Sequence, residues 1–280
     1  MNFAQRWRQL QRQLPLLIGV AGVVFLMVFA LQRFYASTIP QGMAVDWSYT
    51  YAPAARNFFD PYTPLETFTN PPWVLILLPH AWLPPAWGAA VNMVLNISLL
   101  LLVIRRFGGN WQTVLLTFTS APFFDLARTC NVDWIPLLAL LVPPAWALPL
   151  LAIKPHSLGA IGLIWWKRQG FTWRMFIPLA GVIALSFTVW GLWFTRVGLP
   201  WNVGAWNFAP FPYFIPLGLY MLYRAYQTDD AFLAAAATPF LTPYIAVYSV
   251  ASLIAFTGSK YRREVFIVWC AFWIYFVLSI

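Results

Sequence analysis

Charge is what this sequence has least of. Only 9% of its 280 residues are charged, and just eight of those are Asp or Glu against seventeen Lys and Arg. Soluble domains carry about 25% charged residues, so a water-surrounded globule is excluded and an integral membrane protein is indicated. Cysteine and histidine are equally scarce. Cys130 and Cys270 make no disulfide framework and no metal-ligand spacing. His80 and His156 are too few and too far apart to suggest a metal site by themselves. There is also no soluble domain, low-complexity linker or clear internal repeat: residues 1–280 read as one transmembrane domain.

What fills the chain is apolar: 61% of it is hydrophobic and 19% aromatic. Residues 14–32, LPLLIGVAGVVFLMVFALQ, come close to the ~20 apolar residues that cross a bilayer. Before them, the leader 1–13 carries Arg6, Arg8 and Arg12 and no acid. A signal peptide has an apolar region of only ~7–15 residues, so an uncleaved anchor with a cytoplasmic N-terminus is expected. The net charge of +9 then reflects cytoplasmic loops and anionic headgroups rather than nucleic acid.

Apolar runs follow at 14–34, 72–104, 111–127, 132–153, 156–166, 171–195, 211–226, 231–257 and 263–280. Lipid offers the backbone no hydrogen-bond partners, so these should be helices and the fold all-α. Proline interrupts several of them. Pro143-Pro144 splits 132–153 into a hairpin of two half-length helices, ATPFLTPY breaks 231–257, and Pro79, Pro84 and Pro85 divide 72–104. Basic clusters at Arg105-Arg106, at Lys167-Arg168 with Arg174, and at Lys260 with Arg262-Arg263 mark the cytoplasmic side. The opposite side then receives residues 35–70, the turn at 128–133 and the loop 196–210.

On this topology Arg56, Arg128, Lys154 and Arg196 gather outside the cytoplasm with Asp46, Asp60, Glu66, Asp125 and Asp133. Ionisable residues are costly in a membrane and are functional candidates by default. The plainer reading is snorkelling at helix ends, or pairing of Asp125 or Asp133 with Arg128 as structure. Asp46 opens DWSYTYAPAARNFF, whose aromatics suit an interfacial helix. Its carboxylate can be a general base at the headgroup level or the helix N-cap. Asp60, before Pro61, reads as a turn or cap. In Lys154-Pro155-His156 the lysine can act as a point charge for a phosphate, and Arg128 and Arg196 add forked donors for the same group. His156 is either part of that set or a satisfied polar residue at a helix start. Trp201, Trp206, Phe208 and Phe211, with Asn202 and Asn207, form an interface belt or a platform for a sugar or isoprenoid.

Asp46 after the first helix, then Pro61-Tyr62, then Pro71-Pro72-Trp73, resembles the polyprenyl-phosphate-sugar-dependent transferases of glycosyltransferase family 87. Cys130-Asn131-Val132-Asp133 stands where that family often has Gly-Gln-hydrophobic-Asn, Lys154-Pro155-His156 with Lys167-Arg168 matches its Lys-Pro motif and basic loop, and Thr238-Pro239 with Tyr244 follows its late Ser-Pro motif. The likeness covers roughly residues 14–257. It implies a GT-C-like helix bundle and inverting transfer of a mannose-like hexose or pentose from polyprenyl phosphate to a lipid or glycan acceptor. By the same resemblance Asp46 is the base. It also implies that Lys154, Arg128 and His156 would hold the donor phosphate and that no metal or other cofactor is needed; Arg196 is a further phosphate candidate, and Tyr49, Arg56, Asn131, Asp133 and Tyr244 are candidates to meet sugar or acceptor. Two other classes fit the sequence. One is a GT-C-like subunit without activity, bound to a protein partner in the membrane; the other is a lipid-phosphate transporter, for which broken helices are also suited but matching halves are not evident.

Overall fold

A computed structural model of the chain describes residues 3–63, 68–197 and 207–278, with side chains described for Gln13 and from Pro15 onward. Glu66, Trp201, Asn202, Trp206 and the side chains of Arg6, Arg8 and Arg12 lie outside the described set. The described residues form helices and no strand, which is the all-α architecture expected of an apolar chain that must satisfy its own backbone.

The first helix, α1 (Phe3–Thr38), continues the basic leader straight into the apolar run. It leaves Leu16, Leu17, Ile18, Val20, Val23, Phe25 and Leu26 exposed and packs against α3 (Pro85–Arg106). Between them a π-helix, Trp47–Tyr51, leads into the short α2 (Ala52–Arg56). Among the described residues three helices are long and apolar enough to cross a membrane: Pro15–Gln41, Pro85–Arg106 and Trp173–Trp190. This is a membrane protein, with much of its remaining helix in shorter pieces.

Proline and capping residues account for the short lengths. Pro72–Leu77 and Pro79–Trp82 are 3-10 turns ahead of α3, so the run 72–104 divides where its prolines fall. The run 111–127 reads as one apolar segment but is two helices, α4 (Trp111–Phe118) and α5 (Ala121–Thr129). The Ser120 hydroxyl between them accepts from the Phe123 N–H at 3.2 Å, and an N-cap with Pro122 behind it starts a new helix more readily than it continues an old one. The hairpin expected at 132–153 is α6 (Trp134–Ala139) packed on α7 (Pro144–Leu151), with Pro144 opening the second arm. Next come α8 (Pro155–Leu158), α9 (Ile161–Arg168) and α10 (Ile177–Trp190). The chain ends in α11 (Ile215–Thr228), α12 (Ala231–Leu241), α13 (Val250–Thr257) and α14 (Arg262–Leu278). The break expected at ATPFLTPY is the gap between α12 and α13.

The basic segments meet at one end of the bundle. Thr113 donates to the Gly258 carbonyl at 3.1 Å, and the Arg262 guanidinium to Gln112 Oε1 at 2.7 Å, so the turn after Arg105-Arg106 lies beside Lys260–Arg263. Arg168 pairs with Asp229 at 2.9 Å. Asp230 caps α12 by accepting from the Phe232 and Leu233 N–H groups, and its other oxygen takes Lys260 Nζ at 2.5 Å and the Tyr261 hydroxyl.

Although burial alone would raise the Asp230 carboxyl, its donors outweigh that and hold it below the ordinary carboxylate value. A folded-state value below the unfolded one contributes stability above the unfolded value, which is lost as pH falls through the folded one. Asp230→Ala is therefore expected to cost about 1–2 kcal/mol at neutral pH. It should also flatten the loss of thermal stability below pH ~4, as read by melts of the reconstituted protein across pH.

Candidate functional site

The other end of the bundle holds the candidate site, and its entrance is the stretch that begins at Asp46. Trp47 and Tyr51 are buried one helical turn apart, together with Ala52, Ala54 and Ala55, whereas Tyr49 between them is 64% exposed. The segment is thus plugged into the bundle on one side rather than floating on it. Gly88 makes room: a Cβ there would lie 2.9 Å from both the Trp47 ring and the His80 carbonyl. Trp47 stacks on the His80 ring at 4.8 Å with only 6° between planes. Asp46 itself is helical, at φ −66° and ψ −35°, and makes no side-chain capping bond. The capping alternative for Asp46 therefore drops out, and its carboxylate points elsewhere.

That destination is Asn131. The α5 helix ends with Cys130 in the left-handed region at φ 54°, its N–H on the Leu126 carbonyl at 2.7 Å. This reversal presents Asn131, whose Nδ2 donates to Asp46 Oδ2 at 2.5 Å. Its Oδ1 accepts from three donors: the Val132 N–H at 2.7 Å, the Tyr51 hydroxyl at 3.1 Å and Lys154 Nζ at 2.5 Å. With three donors on the oxygen, the amide nitrogen is left facing the carboxylate.

Lys154 reaches this point because Pro155 after it disfavours the helical conformation, and its backbone, at φ −137° and ψ 69°, breaks the chain direction between α7 and α8. Its ammonium, 2% exposed, forms an ion pair with Asp133 Oδ2 at 2.6 Å and sits 4.7 Å from the centre of the Tyr248 ring. Around the core of the network, the single Tyr51 O–H proton is shared between Asn131 Oδ1 and Asn70 Oδ1, the latter at 3.0 Å, Tyr62 donates to the Asn70 carbonyl at 2.7 Å, and Asn70 Nδ2 to the Ile153 carbonyl at 3.0 Å. The segments around 46, 70, 131 and 154 are thereby cross-linked through polar side chains in a mostly apolar protein.

Burial raises the Asp46 carboxyl above the usual range, and the Asn131 amide and the Lys154 charge pull it only part of the way back. A half-buried carboxylate of raised basicity is suited to take a proton from a hydroxyl. His156 lies edge-on to Tyr244 at 5.3 Å, with Ser249 Oγ 3.5 Å from its Nε2. Burial and the nearby Lys154 charge lower it to about 3, so its imidazole is neutral and contributes a hydrogen-bonding group, not a cation.

The remaining sequence candidates fall elsewhere. Arg128 pairs with Asp125 at 2.7 Å, and its side chain is 41% exposed beside the entrance, where its carbonyl takes the Ala44 N–H at 2.6 Å. Arg196 pairs with Asp60 at 3.0 Å on the surface. Arg56 donates to the carbonyls of Ala81 and Leu83 and so braces the turn ahead of α3. The Tyr49 side chain is exposed. Thr238 accepts from the Ala160 N–H at 3.2 Å and ties α12 to the start of α9.

Sequence reading overlooked Tyr51, Asn70, Tyr248 and the α3 asparagines Asn92 and Asn96. The two asparagines had a signal: polar residues four apart in an otherwise apolar span share one helix face. Among the described residues no group of three or more His, Cys, Asp or Glu is placed to hold a metal. No protein-family model, curated protein or solved structure matches the chain.

Proposed function

We propose that this protein is a membrane glycosyltransferase that moves a sugar from a polyprenyl phosphate to a hydroxyl of a lipid or glycan acceptor, with inversion. The observation that carries the reading is the network joining Asp46, Asn131, Lys154 and Asp133. It draws together three of the sequence segments that resemble glycosyltransferase family 87, at one end of the bundle and away from the basic loops. The positive φ of Cys130 supports the same resemblance, since it is the backbone conformation that suits the family's glycine.

In this reading Asp46 removes the acceptor O–H proton as that oxygen attacks the anomeric carbon. The bond from the anomeric carbon to the phosphate oxygen breaks, and the polyprenyl phosphate leaves with the electron pair. Arg128, half-exposed at the entrance, offers forked donors to the departing phosphate. Lys154 is too enclosed to meet that phosphate without leaving Asp133; its charge instead keeps Asp46 from becoming still more basic and holds Asn131 in place. The end bearing Asp46 faces away from the cytoplasm and the basic end faces it, by the positive-inside rule.

The test is purified protein in liposomes, given a panel of labelled polyprenyl-phosphate sugars and an acceptor lipid extract. Label leaving one donor, and lost in Asp46→Asn, is the expected result. The acid limb of the pH profile for kcat/KM should lie above the ordinary aspartate value of about 4, because a base with a raised pKa is protonated, and so silenced, earlier as pH falls. No consumption of any donor by folded protein would overturn the reading in favour of a binding subunit.

A further inference from the structure

Asn92 and Asn96 sit one turn apart on α3, fully buried, and neither touches Asp46. Their amides instead converge on two backbone carbonyls. Asn92 Nδ2 donates to the Cys130 carbonyl at 2.7 Å and to the Asn131 carbonyl at 3.1 Å. Asn96 Nδ2 donates to the same Asn131 carbonyl at 2.8 Å. Asn92 is oriented in turn by the Trp134 Nε1–H, which reaches its Oδ1 at 2.9 Å. The clamp acts on backbone that the helix no longer holds: Cys130 has a left-handed backbone without being glycine, and Asn131 follows the end of α5.

We propose that Asn92 and Asn96 are positioning residues for the Asp46 carboxylate: by clamping the carbonyls of Cys130 and Asn131 from a membrane-spanning helix, they aim the Asn131 amide at Asp46. This rests on the transferase reading only for its catalytic consequence; the geometric claim stands apart from it. Val132, Tyr51 and Lys154 hold the Asn131 side chain by its oxygen, but it is α3 that fixes its backbone carbonyl; a backbone free to shift would lengthen the Asn131–Asp46 hydrogen bond that favours the ionised carboxylate. The other ionisable groups around Asp46 are Lys154 and Asp133 in the network, Asp125 with its partner Arg128 on α5, Cys130 at its end, Tyr51 at the end of the π-helix, and Tyr244 and Tyr248 ahead of α13. Of these only Cys130 is itself bonded by the clamp, through Asn92, so a shift seen also on removing Asn96, which bonds the Asn131 carbonyl and not Cys130, reports on Asn131.

The measurement is an isotope-edited infrared titration of carboxyl-labelled aspartate in the full-length protein, with Asp46→Asn subtracted to isolate the Asp46 band. Asn96→Leu removes the shorter of the two bonds to the Asn131 carbonyl with little change of volume in α3, and Asn92→Ser removes the other together with the bond to the Cys130 carbonyl while leaving a small polar side chain. Thr113→Val is the control, since it deletes a buried side-chain bond of similar length at the basic end. Both asparagine variants are expected to shift the Asp46 midpoint upward by on the order of one pH unit, as loss of a donor to the charged form requires, and the control to leave it in place.

An Asp46 midpoint unmoved in both folded variants would overturn the proposal. So would an equal shift in Thr113→Val, which would mark a general loosening. Absence of sugar transfer by the wild type would remove the proposed function yet leave this titration readable.

Discussion

Asp46→Asn is expected to lower sugar transfer by about 10²–10⁴-fold, the usual contribution of a positioned general base, while leaving the fold intact. The amide is isosteric with the carboxylate and can still accept the Asn131 Nδ2 hydrogen bond through its oxygen. It cannot take up the acceptor proton. The loss should therefore appear in kcat, with donor affinity little changed, because Asp46 acts on the acceptor rather than on the donor phosphate. Single-turnover donor consumption in liposomes, wild type beside variant, is the check. A variant that retains most of the wild-type rate would remove Asp46 from the chemistry and, with it, the reason for a carboxylate of raised basicity at the entrance.

The second large effect concerns stability. Lys154→Met should destabilise the protein by about 3–5 kcal/mol, the range for removing one member of a buried ion pair. The residual cost sits on Asp133: its Oδ2 would lose the ammonium at 2.6 Å, and its Oδ1 already lacks a hydrogen-bond partner. Combining Lys154→Met with Asp133→Leu should recover much of the loss, because no uncompensated charge then remains inside. Denaturant midpoints for the two single variants and the pair form a double-mutant cycle that measures the coupling directly. Simple additivity would show that the pair is not coupled as the geometry indicates. If Lys154 also holds Asn131 for Asp46, the double variant will be stable yet impaired in transfer, which separates the structural part of the network from its chemical part.

How much of this was legible beforehand differs from segment to segment. The hairpin α6–α7 could be read from Pro143-Pro144, and the gap between α12 and α13 from ATPFLTPY, because proline acts on its own backbone whatever surrounds it. The division of 111–127 was missed. Ser120 and Pro122 are a local signal there, but a small hydroxyl residue in an apolar run reads as helix unless its partner, the Phe123 N–H, is known.

In the site, Asp46, Asn131, Asp133 and Lys154 could each be singled out as polar residues in an apolar chain, since cost in a membrane is a property of the residue itself. Their pairing could not. Asp133 was equally open to Arg128, and it is the non-helical backbone at Lys154, ahead of Pro155, and the left-handed turn at Cys130 that join it to Lys154 instead.

By itself, then, the sequence determined the solvent in which this protein lives, the helical character of its backbone and the places where proline stops its helices. Each follows from residue composition or from constraints acting within a few bonds. Only the tertiary structure decided that Asn131 faces the carboxylate with its nitrogen and the ammonium with its oxygen, and that Asn92 and Asn96 hold it there. A hydrogen bond between residues about 85 positions apart depends on distances of a few tenths of an ångström, and those are set by how α3, α5 and α8 pack rather than by any one of them.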